Sequence, residues 1–413
     1  MKSRTRLIAL LVVVVAGIFS AFAGSIHAAK AAGPTLTIWT DVNRKDAVTQ
    51  IANQWAAKNP GVTINVVVKN FGDIETQVGT VAAADAPDVI NAAHDWTGQL
   101  AANGLVEPIY LSAAVRKQFP AYTLNAFSYG LAIKKLYGVP VQIENIGLVV
   151  NTGLVKLPKT FAQLESEALA FKKKASGNLA IAVQQGSGGD AYHMYPFFSG
   201  LGGYIFGTNS AGNLDPSNIG IANAAFIKNT ALIDKWNKEG LINSAVDSST
   251  AQNAFLKKKA AFWVTGPWNS QLLEQSGLKF SVIQVPKIVK AAVPFLGVQG
   301  FMVTKYAATH GVDALAQDFV SNYMTTASAQ LALAQAGGRY PANTAAGKQD
   351  TDKVLAEFGK AGAGGVPMPN IPQMGSVWAA LGQAWVNSTK GSGATTASKA
   401  FKSAAHAIAE KIG

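Results

Sequence analysis

From residue 34 onward the apolar positions switch period repeatedly. LTIWT (36–40) is a short apolar run, and KDAVTQIANQWAAKNP (45–60) then sets Val48, Ile51 and Trp55 at helical spacing. VTINVVV (62–68) predicts a strand, GDIETQVGTVAAAD (72–85) a helix and PDVINAA (87–93) another strand. Strands alternating with helices predict α/β layers around a largely parallel sheet with right-handed crossovers. A second set follows. GVPVQIENIGLVVN (138–151) is a long extended stretch, and Thr160 with Gln163 reads as a capping box opening a helix that reaches Lys174. LAIAV (179–183) predicts a strand, FIKNTALIDKWNKEG (226–240) a helix and KKAAFWVTG (258–266) a strand. AAVPFLGVQGFMVTK (291–305) is a second long extended stretch. Two such stretches with a complete α/β unit between them predict a chain that crosses twice between two lobes. A length of 413 residues is enough for two cores.

The N-terminus reads differently. Lys2, Arg4 and Arg6 precede an apolar run from Leu7 to Gly24, and small-residue sites follow at Ala21-Phe22-Ala23 and Ala29-Lys30-Ala31. This predicts a secretory signal peptide over 1–31. No later apolar run reaches membrane-spanning length, so the exported chain is expected to be soluble. There are no cysteines, which excludes disulfides, thiolate metal sites, a cysteine nucleophile and a lipoprotein anchor. An exported, unanchored chain points to a periplasm-like space. The formal charge is +12, and removing Lys2, Arg4, Arg6 and Lys30 leaves +8. The basic runs, Lys172–Lys174 and Lys257–Lys259, lie on expected helices without interleaved aromatics, so they read as solvated faces. Nucleic acid is not an expected partner.

In open parallel sheets, ligands lie beyond the carboxyl ends of strands. Several expected strand ends carry a polar group beside a ring or a planar cation. These are Asp41-Val42-Asn43-Arg44, His94-Asp95-Trp96, the loop leading to Asp190, Tyr192 and His193, and Gly266-Pro267-Trp268. A sugar site needs this pairing, because charged and amide groups bind hydroxyls while ring faces cover the C–H face of a pyranose. Each residue also has a structural reading. Trp39, Trp55, Trp236 and Trp263 fit core positions. Trp268, at a turn, divides evenly between core and ligand. Glu144 interrupts an apolar run, and a buried acid needs a partner, which a salt bridge or a ligand could supply. Trp378 and Trp385 are seven apart on one helical face, which favours core for both. There is no Walker A loop, no HExxH, no GxSxG elbow at QGSGG (185–189) and no dinucleotide loop at GLGGYIFG (200–207). The five histidines are scattered; His94 and His193 read as hydrogen-bonded rather than metal-binding, and neither a metal nor a cofactor is expected. Asp95 and Glu144 are the one conceivable glycosidase pair.

Taken in order, several stretches resemble the extracellular solute-binding proteins of carbohydrate ABC importers, and more narrowly the maltose/maltodextrin-binding proteins. They are LTIW, PDVINAAHDW with LAANGLVEPI, YGVPVQIENIGLVVN, AYHMYPFFSGLGGYIF, AFLKKKAAFWVTGPW, VPFLGVQG, and MPNIPQM followed by Trp378. Together they span nearly the whole exported chain. The resemblance implies a two-lobe periplasmic-binding-protein fold (class II), each lobe a mainly parallel sheet flanked by helices, with a multi-strand hinge. It implies lobe I at 35–142 with a return segment at 301–347, and lobe II at 143–300 with C-terminal helices at 352–413. It makes Glu144 a hydroxyl-binding acid at the hinge, Asp95 an acceptor on the first lobe, and Asp190 the counterpart of a family Glu. Tyr192, Trp268 and Trp378 become stacking platforms, while Asn43 and Arg44 fall where the family has an Asp-Lys pair. The family's first-lobe stacking Trp is Ala92 here, and the Arg after its Asp is Trp96. The implied activity is non-enzymatic capture of maltose or maltodextrin by a monomer and delivery to membrane permease subunits. Another oligosaccharide such as trehalose, or a secreted glycan-cleaving enzyme using Asp95 and Glu144, are the alternatives. The three prolines of PMPNIPQMGSVW (367–378) would hold the Trp378 ring in place before sugar arrives.

Overall fold

The computed structural model describes residues 33–130 and 133–413. The expected signal peptide at 1–31 lies outside the described residues. Two main sheets organise the molecule. Their strands are β1 (Thr35–Thr40), β2 (Thr63–Val68), β3 (Val89–Ala93), β4 (Val139–Asn145), β5 (Gly147–Asn151), β6 (Ala182–Val183), β7 (Phe262–Thr265), β8 (Phe280–Ile283), β9 (Phe295–Val303), β10 (Tyr340–Pro341) and β11 (Val366–Pro367). The first sheet runs β10-β4-β9-β3-β1-β2, with β11 alongside β9; the second runs β8-β5-β7-β6.

Both sheets are mixed rather than mainly parallel. β1 pairs parallel with β2 and β3, β9 with β11, and β7 with β6. β9 is antiparallel to β3 and β4, β10 to β4, and β5 to both β7 and β8. The cause is the crossing itself. β4 leaves the first sheet and continues past Ile146 as β5 of the second, while β9 comes back. Outgoing and returning strands that lie side by side must run in opposite senses. Where sequence periodicity gives two crossings, the structure has a third, between Ala342 of one core and Val354 of another, and the later segment 366–371 lies along the first sheet. Val366 N–H donates to Pro294 O at 3.1 Å, and Asn370 Nδ2 reaches the carbonyls of Asn125, Ala126 and Ser128 at 3.0, 2.8 and 3.0 Å.

The buried apolar side chains fall into separate cores. One draws on residues 36–141 and 298–342, including Trp39, Trp55, Phe127 and Phe301. The others draw on 146–295 and 354–408: Phe197, Trp236, Trp385 and Phe401 on one side of the second sheet, Phe255 and Trp263 on the other. The tryptophans read as core are therefore core. Local chemistry explains the smaller differences. The expected helix over 226–240 breaks into Ala224–Asn229 and Ala231–Glu239, where the Thr230 hydroxyl donates to Ile227 O at 2.8 Å. Thr160 does cap Phe161–Lys173, accepting from Gln163 N–H, but Gln163 reaches back to Lys159 N–H rather than to Thr160. The LAIAV strand shortens to β6, with Leu179 held by a single bridge to Ala260.

Candidate functional site

A cleft of about 610 Å³ lies among the strand ends, lined by residues of both cores. All nine residues singled out from the sequence line it: Asn43, Arg44, Asp95 and Trp96 on the first side, Glu144 at the crossing, and Asp190, Tyr192, Trp268 and Trp378 on the second.

Glu144 sits one residue from the end of β4, opposite Gly297 on β9. A Cβ at 297 would meet Glu144 Cγ at 2.9 Å and Tyr192 Oη at 3.3 Å, so this glycine makes room for both polar groups. The partner a buried acid requires is Arg339, whose Nε donates to Glu144 Oε2 at 2.5 Å; Gln299 Nε2 holds Oε1 at 2.7 Å. Burial pushes the Glu144 carboxyl up, but the Arg339 and Arg44 guanidiniums and these hydrogen bonds outweigh it, and it lies below the ordinary range. Arg339 follows Gly338, whose left-handed φ of 63° ends the helix Ala327–Gly337 and turns the chain back toward β10.

On the first side, Asp95 lies in a short 3₁₀ turn, His94–Trp96, directly after β3. Its Oδ2 accepts from Trp378 Nε1 at 3.0 Å, a contact between residues of different cores, and its Oδ1 is buried without a hydrogen-bond partner. Burial, assisted by the charge of Glu144, pushes Asp95 up to about 7. Glu75, also in the cleft wall, is pushed up to about 8 by burial and by Asp95. Arg44 is clamped by Asp41 Oδ2 at 3.0 Å and Asn91 Oδ1 at 2.7 Å, and burial lowers it to about 10. Its guanidinium lies 4.7 Å from the Phe71 centroid, and Trp96 lies 4.7 Å beyond Phe71. Asn43 is exposed at the rim. On β3, Ala93 lines the cleft; Ala92, one residue away, is fully buried in the first core. Position 92 therefore lies off the cleft wall in this chain, and the first-side rings are Phe71 and Trp96, the latter largely buried.

On the second side, Asp190 is the N-cap of Ala191–Gly200. It accepts from His193 N–H and Nδ1, both at 2.9 Å, and from Gln184 Nε2 at 2.6 Å. Burial raises Asp190, but His193 and the amide donors pull it below the usual carboxylate range. Tyr192 lies 6.3 Å from Trp268 and 6.2 Å from Phe295, and Phe295 lies 5.8 Å from Trp378, centroid to centroid. The result is a belt of rings facing a wall of fixed charges. Besides Asp95 Oδ1, the cleft-lining atoms Tyr192 Oη, His193 Nε2, Gln299 Oε1 and Arg44 Nε are buried without hydrogen-bond partners. His94, in contrast, has both ring nitrogens occupied, Nε2 donating to Met368 O at 3.0 Å and Nδ1 accepting from Val298 N–H at 3.1 Å. Burial lowers it to about 4, and it acts as a neutral spacer in the hinge.

Sequence reasoning missed Arg339, Gln299, Gln184 and Glu75. Glu144 signalled that a cation was needed, but Arg339 lies 195 positions away and nothing local points to it.

This architecture has counterparts. The profile describing bacterial extracellular solute-binding proteins matches residues 50–360. The chain belongs to that family. Among relatives of this solute-binding protein, the maltodextrin-binding protein of Bacillus subtilis (strain 168) is 29% identical, over 83% of this chain and 82% of that one. The galactooligosaccharide-binding protein of the same organism is 28% identical, over 84% and 82%. In three dimensions the chain is similar to the Thermus thermophilus maltotriose binding protein bound with maltotriose. That match has a TM-score of 0.79 at 28% identity and covers 92% of this chain and 100% of that one. The solute-binding protein thus has a mixed α/β two-lobe fold, with its ring-and-charge cleft where the two cores meet.

Proposed function

We propose that this protein is an exported, non-enzymatic receptor that closes on maltose or a maltodextrin and hands it to the membrane permease of an ABC importer. The observation that carries the reading is the set of buried, unpartnered polar atoms facing a belt of aromatic rings. Burying a polar atom without a partner is costly, and a polyhydroxylated ligand removes that cost while its C–H faces cover the rings. The nine cleft residues act as the binding set. Glu144, Asp95 and Asp190 take hydroxyls, Tyr192, Trp268 and Trp378 stack, and Asn43, Arg44 and Trp96 complete the first side. In this reading residues 35–142 and 301–347 form lobe I, and 143–300 and 352–413 form lobe II. The partition of buried side chains supports that division, apart from Val298, which packs with the first core. The protein works as a monomer in a periplasm-like space, released from its signal peptide.

Isothermal titration of the protein with maltose, maltotriose and longer dextrins tests the substrate; heat with at least one of them is expected, and none with any would overturn the reading. The panel includes trehalose and a galacto-oligosaccharide. The galacto-oligosaccharide is the favoured second reading, since one relative is named for that ligand and the first-side ring differs from the family pattern. The same solutions, held for hours, should release no new reducing ends.

A further inference from the structure

The helix Phe71–Thr80 divides two concavities rather than bounding one. Glu75 lines the cleft on one side and, on the other, a groove of about 660 Å³. Thr76 and Thr80 continue the helix wall of that groove; Gln99 and Asn103 form the facing wall, and the turn Pro372–Ser376 closes one end through Gly375 and Ser376. One wall therefore belongs to the part of the chain built on the first core. The closing turn leads directly into the helix bearing Trp378, which packs on the second core. The groove, like the cleft, is completed only when these two parts are together.

Its lining mixes polar side chains with the apolar Leu100, Leu105 and Pro372. Among the described residues, the side chains of Thr76, Gln99, Asn103 and Ser376 make no side-chain hydrogen bond, so a row of neutral donors and acceptors is uncommitted. No aromatic ring lines the groove, and its charged residues are Glu75 and Lys305. Neutral hydroxyls and amides set among a few apolar side chains suit a sugar, whose hydroxyls and C–H faces meet both. The cleft alone, at about 610 Å³, is of ordinary small-ligand size, and the groove beside it adds comparable space.

We infer that the groove beyond Glu75 is an extension subsite, which takes the further hexose units of an oligosaccharide whose first units occupy the cleft. The inference rests on the sugar-binding reading above. Glu75, largely protonated at neutral pH, is the shared wall and donates to a hydroxyl on the chain as it passes. Without a stacking ring, each added unit gains only hydrogen bonds. The affinity gain is therefore small, about threefold to tenfold, the scale of one or two net hydrogen bonds.

The test is calorimetric titration of the whole protein with maltotriose, maltotetraose, maltohexaose and maltoheptaose, for the wild type and for Gly375→Phe and Thr80→Trp. A Cβ at Gly375 meets nothing within 4 Å, so a ring there fills the groove without disturbing its surroundings. The expected result is a wild-type affinity that rises about threefold to tenfold beyond maltotriose. Each variant should lose that rise while holding maltotriose within about twofold of wild type and melting at the same temperature. A flat wild-type series, or a rise that survives both substitutions, overturns the inference and leaves the receptor function standing. Absence of binding to every sugar overturns both. If one variant fails to fold, the other, on a different element, decides.

Discussion

Two tryptophans on one helix show how different two residues of the same type can be. Trp385 is fully buried, with its ring edge-on to Phe401 at 5.2 Å; Trp378 is half-buried in the cleft wall. Trp385→Ala should cost about 3–5 kcal/mol of stability, read from urea unfolding. Trp378→Ala should cost less stability than that, about 1–2 kcal/mol for the lost Asp95 hydrogen bond and ring contacts, and weaken sugar binding by about 30-fold or more, the loss of a central stacking ring, read by calorimetry. Arg339 makes a third contrast. Arg339→Ala leaves Glu144 buried without its main cation, a change that typically costs about 3–5 kcal/mol, whereas Arg339→Lys should recover part of it. The cleft carboxyls also set a pH dependence. Asp95 and Glu75 lie above their ordinary values, so the stability they contribute is complete well below pH 4 and is lost as pH rises through about 7 and about 8. His94, lowered to about 4, acts in the opposite sense, but only below its ordinary value of about 6.5. Between roughly pH 6.5 and 8 the carboxyls act in the same sense as His310, which burial lowers but Asp88 and the Ala83 carbonyl raise overall, so stability falls as pH rises. The sugar-free protein should melt higher at pH 6.5 than at pH 8 in differential scanning calorimetry, and Glu75→Gln should remove much of the difference.

At the scale of elements, the site depends on how helices begin and meet. Asp190 caps its helix, and the residue before it, Gly189, has φ of +75°. A Cβ at Gly189 would lie 2.2 Å from the carbonyl oxygen of Gly382, on the Trp378 helix. The two glycines let the Asp190 turn and the Trp378 helix touch backbone to backbone, which fixes an acid and a ring relative to each other. Gly189→Ala should destabilise the protein by about 1–3 kcal/mol or more and weaken sugar binding with it, measured by thermal melts and titration. The strand–helix alternation was legible because its apolar periods are local. The sense of β5 and β9, and the placing of 366–371 along the first sheet, were not. Strand direction in a mixed sheet depends on where the chain returns, which no local period encodes.

At the scale of the whole molecule, function depends on two cores with separate sheets and three chain crossings between them. The Trp378–Asp95 hydrogen bond joins residues of different cores across the cleft, and Asn370 ties the segment 366–371 to the carbonyls at 125–128. Sugar contacting both sides should favour the closed arrangement, because only that arrangement offers both sets of contacts. Small-angle X-ray scattering should show the radius of gyration fall on adding maltotriose, and an Asp95→Asn, Trp378→Ala double variant should show little change.

The sequence by itself determined which residues have the chemistry for a sugar site, because strand ends with a polar group beside a ring are written locally. Spacing also assigned Trp39, Trp55, Trp236, Trp263 and Trp385 to the cores, but it assigned Trp378 with them, and only the structure puts that ring in the cleft wall. Tertiary structure alone decided that these strand ends converge on one cleft, and that Glu144 is held by Arg339. It also decided that position 92 turns into the core while Trp96 lines the wall. Those outcomes depend on pairings across as many as 195 positions, and a side chain carries no local mark of a partner that far away.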